Sequence, residues 1–180
     1  MSWRVITYRL PADPSRHRVA IWRELRRLGA VPLQQGTWAV PVGEPFDAGF
    51  TKVTEAITAA GGQPVVLAVA DEEASVVQLE ELFTAQREAE WAEFIADCGK
   101  YEAELAGEVA KGKLTLAELD EEEQSLERLR RWSRAIRARD LFGAPGAAAA
   151  ERRLKEAAEA LERFADEVYR AREQPAEEPG

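Results

Sequence analysis

Residues 3–42, WRVITYRLPADPSRHRVAIWRELRRLGAVPLQQGTWAVPV, decide the fold class of this chain. The stretch opens with β-branched and aromatic side chains that stop at a proline, which predicts a strand over residues 3–10. Ser15 then suits the N-cap of an amphipathic helix over residues 16–28, and Gly29 supplies its C-terminal stop. A strand that passes through a tight turn into a helix indicates a mixed α and β domain.

The following segments complete that domain. Two short strands are predicted over residues 31–35 and 37–42, a second helix over residues 46–60, and a last strand over the apolar run at residues 64–70. The order β-α-β-β-α-β is typical of a ferredoxin-like fold, in which two helices cover one face of a four-stranded antiparallel sheet. The other face is left for solvent, for the rest of the chain or for a partner.

After residue 72 the hydrophobic period is purely helical. Capping-box patterns begin at Ser75 and Thr115, and a break rich in glycine and proline precedes residue 147. These signals predict three helices, and the short connections favour antiparallel neighbours. The expected helices cover about residues 75–110, 115–141 and 147–172.

The chain is therefore expected to be an α+β protein. It has a ferredoxin-like βαββαβ domain followed by an all-helical C-terminal extension of antiparallel helices. The predicted domains are residues 1–72 and 73–173, and a disordered tail covers residues 174–180.

Composition excludes several classes of protein. The 180 residues include 24 Lys and Arg against 33 Asp and Glu, and the net charge of −9 excludes a uniformly basic nucleic-acid binder. One His and one Cys exclude a zinc finger and a disulfide framework, and His17 would be the only imidazole of a classical triad. No apolar run approaches the ~20 residues of a membrane helix, and the N-terminus lacks a signal-peptide pattern. We expect a cytoplasmic protein with no membrane partner, no metal, no cofactor and no catalytic residues.

Charge is unevenly distributed, and the predicted helix at residues 16–28 is its most basic segment. Residues 1–70 contain eight basic and five acidic residues, although the whole chain is acidic. Arginines at i, i+7 and i+11 share one helical face, and guanidinium groups form charge-assisted hydrogen bonds with phosphate. The alternative is a solvated outer face of an amphipathic helix. The candidate DNA-binding residues here are Arg16, Arg18, Arg23, Arg26 and Arg27.

A second group of arginines lies within the acidic half of the chain. Three of them are spaced i, i+4 and i+7 on the predicted helix at residues 115–141, so they share a face. This face either contacts DNA or forms ion pairs with acidic residues of the neighbouring helices, such as Glu102 and Glu151. The candidate residues are Arg130, Arg131, Arg134 and Arg137.

The remaining chemistry-bearing residues are interpreted as structural. Trp3, Trp22, Trp38 and Trp91 are expected in the core, and Cys98 is expected to be a small buried residue without a resolving partner. The acidic run at residues 120–123 fits the first turns of a helix better than a calcium loop.

Four segments together resemble the N-terminal domain of the chromate-resistance regulator family ChrB. They are WRVITYRLP (3–11), RHRVAIWRELRRLGAV (16–31), QQGTWAVPV (34–42) and FTAQREAEWAEF (83–94), of which the second is the most specific. The resemblance implies a cytoplasmic transcription regulator that binds promoter DNA of a chromate-efflux operon, with chromate as effector. A homodimer through the ferredoxin-like sheet is the expected assembly.

Chromate is a dianion, so a helix N-terminus with arginines is the expected place for it. On the resemblance to the regulator family, the candidate anion-binding residues are Ser15, Arg16, His17 and Arg18.

More distant likenesses bear on the alternatives. The βαββαβ pattern with a basic helix ending in LRRLG resembles the central domain of PaaX-type repressors and a small CRISPR adaptation nuclease. In that nuclease an aspartate at the end of the first strand holds the metal, whereas this chain has Arg9 after Tyr8. Arginine cannot ligate a divalent cation, which argues against nuclease activity. The main alternative is a non-enzymatic protein-interaction or dimerisation module, and a nuclease or a chromate-handling redox protein ranks behind both.

Overall fold

The computed structural model describes residues 1–173, and these residues form a four-stranded antiparallel sheet with helices, followed by further helices. The predicted α+β class is confirmed. The tail predicted at residues 174–180 lies outside the described residues. The elements are β1 (Trp3–Arg9), α1 (Ser15–Leu28), β2 (Val31–Gln34), β3 (Thr37–Pro41), α2 (Asp47–Ala59), β4 (Gln63–Ala68), α3 (Glu73–Ala110), α4 (Leu116–Arg137) and α5 (Ala147–Glu173).

The sheet has the strand order β2-β3-β1-β4, which is that of a ferredoxin-like fold. The central strand β1 pairs antiparallel with both β3 and β4, and Ile6 lies opposite Trp38 on one side and Val66 on the other. The edge strands are therefore β2 and β4.

Apolar residues at the expected helical spacings hold the helices in the same hydrophobic cluster as the sheet. Ile21 and Leu25 of α1 and Ile57 of α2 are buried together with Ile6 of β1. Complete burial of such a side chain contributes about 1.5–3 kcal/mol. Arg4 fixes the start of α2 from the sheet, since it donates to Asp47 at 2.6 Å. The Arg4 guanidinium also lies over the Phe50 ring, 3.8 Å from its centroid.

The described chain divides into two compact units. Unit 1 comprises residues 1–86 and 138–142, and unit 2 comprises residues 87–137 with the segment from Gly143 onward. The first turns of α3 belong to unit 1, where Phe83 is fully buried and packs edge-on against Trp3.

Unit 2 has its own core of α3, α4 and α5 residues. Within it, Phe94 contacts Trp132, and the Tyr101 hydroxyl donates to the Glu122 carbonyl at 3.1 Å. A later residue of α3 therefore contacts an earlier residue of α4, so these two helices are antiparallel as expected. None of the helices within residues 1–173 combines the length and the apolar composition that crossing a bilayer requires.

The starts of α1 and α3 differ from the sequence prediction. The N-cap of α1 is Pro14 rather than Ser15, and no side chain caps this end. The start of α3 at Glu73 puts Ser75 inside the first turn, so the first capping box is wrong. The second is confirmed, because the Thr115 hydroxyl accepts a hydrogen bond from the Glu118 N–H at 3.2 Å.

The end of α4 also precedes the expected residue 141. This helix stops at Arg137, and residues 138–142 belong to unit 1. The physical reason lies in Phe142, which stacks on Trp3 with ring centroids 6.4 Å apart.

Candidate nucleic-acid interface

The basic face of α1 is exposed and largely without ionic partners. Arg16, Arg18, Arg23 and Arg26 are all exposed, and within residues 1–173 no carboxylate forms a salt bridge with any of them. The fifth candidate, Arg27, pairs with Glu24 of its own helix at 3.2 Å. Four cationic side chains thus project from one helix into solvent.

The second group of arginines is mostly ion-paired. Arg134 lies 2.9 Å and Arg130 3.7 Å from the carboxylate of Glu127, and Arg137 pairs with Glu151 of α5. The hydrogen bond from Arg134 lowers the pKa of Glu127. Arg131 is exposed. Ion pairing, the alternative weighed for this face, therefore describes three of its four candidates, although Glu127 was not among the expected partners.

A groove of about 830 Å³ adjoins α1 within unit 1. One stripe of the helix, Arg18, Trp22 and Arg26 at spacings of four residues, forms one wall. The end of β1 and the turn between β2 and β3 form the rest. The other lining residues are Tyr8, Arg9, Leu10, Pro32, Gln34, Gln35, Gly36 and Trp38.

Trp22 does not lie in the core. Its side chain is 50% exposed, in contrast to Trp3, Trp38 and Trp91, which are buried as expected. The Arg26 guanidinium lies 5.8 Å from the centroid of the Trp22 ring, which is within the range of a cation–π contact. The core interpretation of Trp22 is therefore wrong, and this ring provides an aromatic surface on the groove.

The turn at Gly36 shapes the floor of the groove. Gly36 has a φ of +72°, and its carbonyl accepts a hydrogen bond from the Tyr8 N–H at 2.8 Å. A Cβ at this position would lie 2.7 Å from the Tyr8 carbonyl oxygen. Only glycine therefore allows the turn to lie this close to the end of β1.

The phenol of Tyr8 remains neutral in the groove. Burial raises the pKa of Tyr8, and a hydrogen bond from Trp38 opposes this rise only in part. The neutral hydroxyl can both donate and accept a hydrogen bond. Together with the exposed amides of Gln34 and Gln35, it gives the groove uncharged polar groups beside its cations.

The candidate anion site occupies the first turn of α1. Ser15, Arg16 and Arg18 are exposed there and His17 is half-buried. The His17 N–H donates to the Pro14 carbonyl at 3.2 Å, so that amide is already used. Arg18 also lines the groove, whereas Ser15, Arg16 and His17 do not.

The single cysteine of the chain is held as a thiol. Cys98 is buried, and burial raises the pKa of its thiol to about 11, so a thiolate is disfavoured. Among residues 1–173 there is no cluster of three or more His, Cys, Asp or Glu side chains that could hold a metal ion.

Sequence reasoning found the arginines but missed the groove. Tyr8, Arg9, Trp22, Gln34 and Gln35 line the groove without being among the predicted site residues. The spacing of Arg18, Trp22 and Arg26 was a usable signal, because positions i, i+4 and i+8 follow one stripe of a helix.

The comparisons with known proteins identify one family. The family model described as "Protein ChrB, N-terminal" matches residues 18–175, which is most of the chain. The match confirms the resemblance seen in the sequence. It includes residues of both compact units, and β1 lies before the matched range. No curated protein and no solved structure matches the chain.

Proposed function

This chain belongs to the family of the ChrB N-terminal domain, and we propose that it is a transcription regulator that binds promoter DNA through α1. The family suggests a regulator of chromate resistance. The proposed contacts are made by Arg16, Arg18, Arg23 and Arg26. Chromate is the proposed effector. The proposed role is not enzymatic, and the raised pKa of the buried Cys98 thiol argues against thiol chemistry at that residue.

The observation behind the proposal is the difference between the two groups of arginines. The four on α1 are exposed and lack salt bridges among the described residues, whereas Arg130, Arg134 and Arg137 already neutralise carboxylates. Unpaired guanidinium groups displace condensed counterions from DNA, and this release is the main source of non-specific affinity. The acidic remainder of the chain keeps that affinity weak at physiological salt.

Fluorescence anisotropy with duplex from upstream of the gene tests the proposal, with an unrelated duplex for comparison. The double variant Arg16→Glu with Arg23→Glu should bind the duplex at least about tenfold more weakly than the native chain. The change should also reduce the slope of log K against log salt by about 2. Chromate should weaken binding of the native chain to its own duplex.

The matched control is Arg152→Glu with Arg163→Glu. Both residues are exposed on α5, so the net charge changes equally while α1 is untouched. If this control weakens binding as strongly as the α1 variant, only net charge matters and the proposed contact is wrong. If the native chain binds neither duplex at low salt, the DNA-binding proposal fails.

We also propose that the chain forms a homodimer through β4. Three consecutive apolar residues of this edge strand, Val65, Val66 and Leu67, are 46–55% exposed. An unpaired strand edge without charged side chains readily pairs with another strand. Such pairing serves a dimeric regulator, and it equally serves the interaction module that is the main alternative.

A further inference from the structure

The groove beside α1 has features that contact with a DNA backbone does not require. Phosphate recognition needs only the arginines, yet the groove also presents half of the Trp22 ring, the Tyr8 hydroxyl and two exposed glutamines. Exposure of a large aromatic ring next to a pocket marks binding sites, because burial of such a ring is otherwise favourable.

We propose that this groove binds a single nucleotide whose base is unpaired. The base stacks on Trp22, and the phosphate is held by Arg18, Arg26 and Arg9. The inference rests on the proposed function in taking DNA as the ligand, and it deepens that function. A free mononucleotide has the same chemistry, so the experiment below separates the two sources.

Charge and size both fit this ligand. The lining contains three arginines, and no Asp or Glu is part of it among the described residues, so an anion meets no repulsion there. The volume of about 830 Å³ falls in the usual range for a small-molecule site and accommodates a nucleotide. A bare tetrahedral oxyanion would occupy only a fraction of it and would make no use of the aromatic wall.

The arrangement of the groups also fits. Arg18 and Arg26 flank Trp22 along one helical stripe, so cations lie on both sides of the stacking ring. The amides of Gln34 and Gln35 and the Tyr8 hydroxyl line the same groove and supply donors and acceptors for the edge of a base. A paired base inside a duplex could not reach Trp22, because its faces are covered by its neighbours.

Titration with fluorescein-labelled single-stranded oligothymidylate tests the inference in the full chain. Trp22→Ala should weaken binding by about 5- to 100-fold, the usual loss for one stacked base, whereas Trp22→Phe should retain most of the affinity. Val19→Ala is the matched control, because Val19 is an exposed apolar residue of α1 outside the groove. It should leave binding unchanged.

Two further arms separate base from phosphate and strand from free nucleotide. An abasic oligonucleotide of the same length should bind more weakly and be insensitive to Trp22→Ala, since it has no base to stack. Unlabelled dTMP should compete with the oligonucleotide if the groove accepts free nucleotides, and fail to compete if it needs the strand. In both cases, weaker binding of the labelled oligonucleotide in Trp22→Ala than in Val19→Ala supports the shared chemistry.

The outcomes distinguish this inference from the proposed function. If duplex binding requires Arg16 and Arg23 but Trp22→Ala and Val19→Ala behave alike with every probe, the groove inference is overturned and the regulator proposal stands. If dTMP binds in a Trp22-dependent way while no duplex binds, the inference stands and the DNA-binding proposal falls. Equal affinity for the abasic and the normal oligonucleotide also overturns the inference.

Discussion

Glu122 is a buried acid in the helical unit, and its surroundings oppose its ionisation. The residue is only 5% exposed, and its Oε2 atom has no hydrogen-bond partner among the described residues. Burial is the main cause that raises its pKa to about 7, and nearby acids of α3 and α4 add to it. These neighbours are Glu104, Glu108, Glu118 and Glu121.

This raised pKa predicts a loss of stability with rising pH. Because the folded state holds the proton of Glu122 more tightly than the unfolded state, the free energy of unfolding falls as pH rises from about 4.5 to about 7. The expected loss is about 3 kcal/mol, because each pKa unit between about 4.5 and about 7 corresponds to 1.36 kcal/mol. Glu122→Gln should abolish this dependence and make the protein more stable than the native chain at pH 8.

Urea unfolding at pH 5 and pH 8 measures the effect. The comparison between variants cancels groups such as Glu127, whose lowered pKa acts in a more acidic range. Glu162→Gln is the control, because Glu162 is exposed on α5 and is not one of the acids that raise the pKa of Glu122. Equal pH dependence in Glu122→Gln and the native chain would contradict the prediction.

At the scale of elements, the turn between β2 and β3 determines the shape of the groove. Gly36→Ala combines a positive φ with a Cβ that lies 2.7 Å from the Tyr8 carbonyl oxygen, so the turn must move. We expect a loss of about 1–3 kcal/mol in the free energy of unfolding. Gly107→Ala is the contrast, since Gly107 is helical and its added Cβ meets nothing within 4 Å. It should stabilise the protein by up to about 1 kcal/mol in the same urea titration.

An unchanged or increased stability of Gly36→Ala would show that the turn relaxes without cost. The Trp22-dependent binding of nucleotides gives a second readout, because displacement of the turn alters the groove floor. Both measurements should change together if the close approach of Gly36 to β1 shapes the site.

The elements themselves follow from local patterns in the sequence, whereas the groove does not. The strands and helices of unit 1 were predicted within one or two residues at most ends, because glycines, prolines and apolar periods mark them locally. Trp22 was misjudged because it lies beside the stripe of Ile21 and Leu25, and a residue there is buried or exposed according to what packs next to the helix. That neighbour is the end of β1 with the β2–β3 turn, whose position depends on the sheet register and not on any local pattern. The pairing of Arg130 and Arg134 with Glu127 is different, because all three residues lie on α4 and their spacing was a local signal that the prediction did not use. The pairing of Arg137 with Glu151 was among the alternatives.

At the scale of the whole molecule, the net charge of −9 opposes self-association, whereas the uncharged edge of β4 favours it. Two acidic chains repel at low salt, but β4 brings no charged side chain to a contact between copies. A pair of β4 strands would form an isologous twofold interface in which each edge satisfies the backbone groups of the other. Six residues per strand bury less than the 1,200–2,000 Å² of a standard stable interface, so the dimer should be weak and concentration-dependent.

Sedimentation velocity across a range of concentrations tests this dimer. The native chain should move from monomer to dimer as concentration rises, and added salt should favour the dimer by screening the net charge. Val65→Lys with Leu67→Lys places two positive charges on each β4 strand where the two copies meet, so it should keep the chain monomeric at all concentrations. Val77→Lys with Val109→Lys is the control, because these exposed apolar residues lie on α3 and the charge change is the same. A dimer that survives the β4 variant but not the control would assign the interface to α3. A native chain that stays monomeric would leave DNA recognition to a single copy of α1, and such a protein would need no twofold symmetry in its operator.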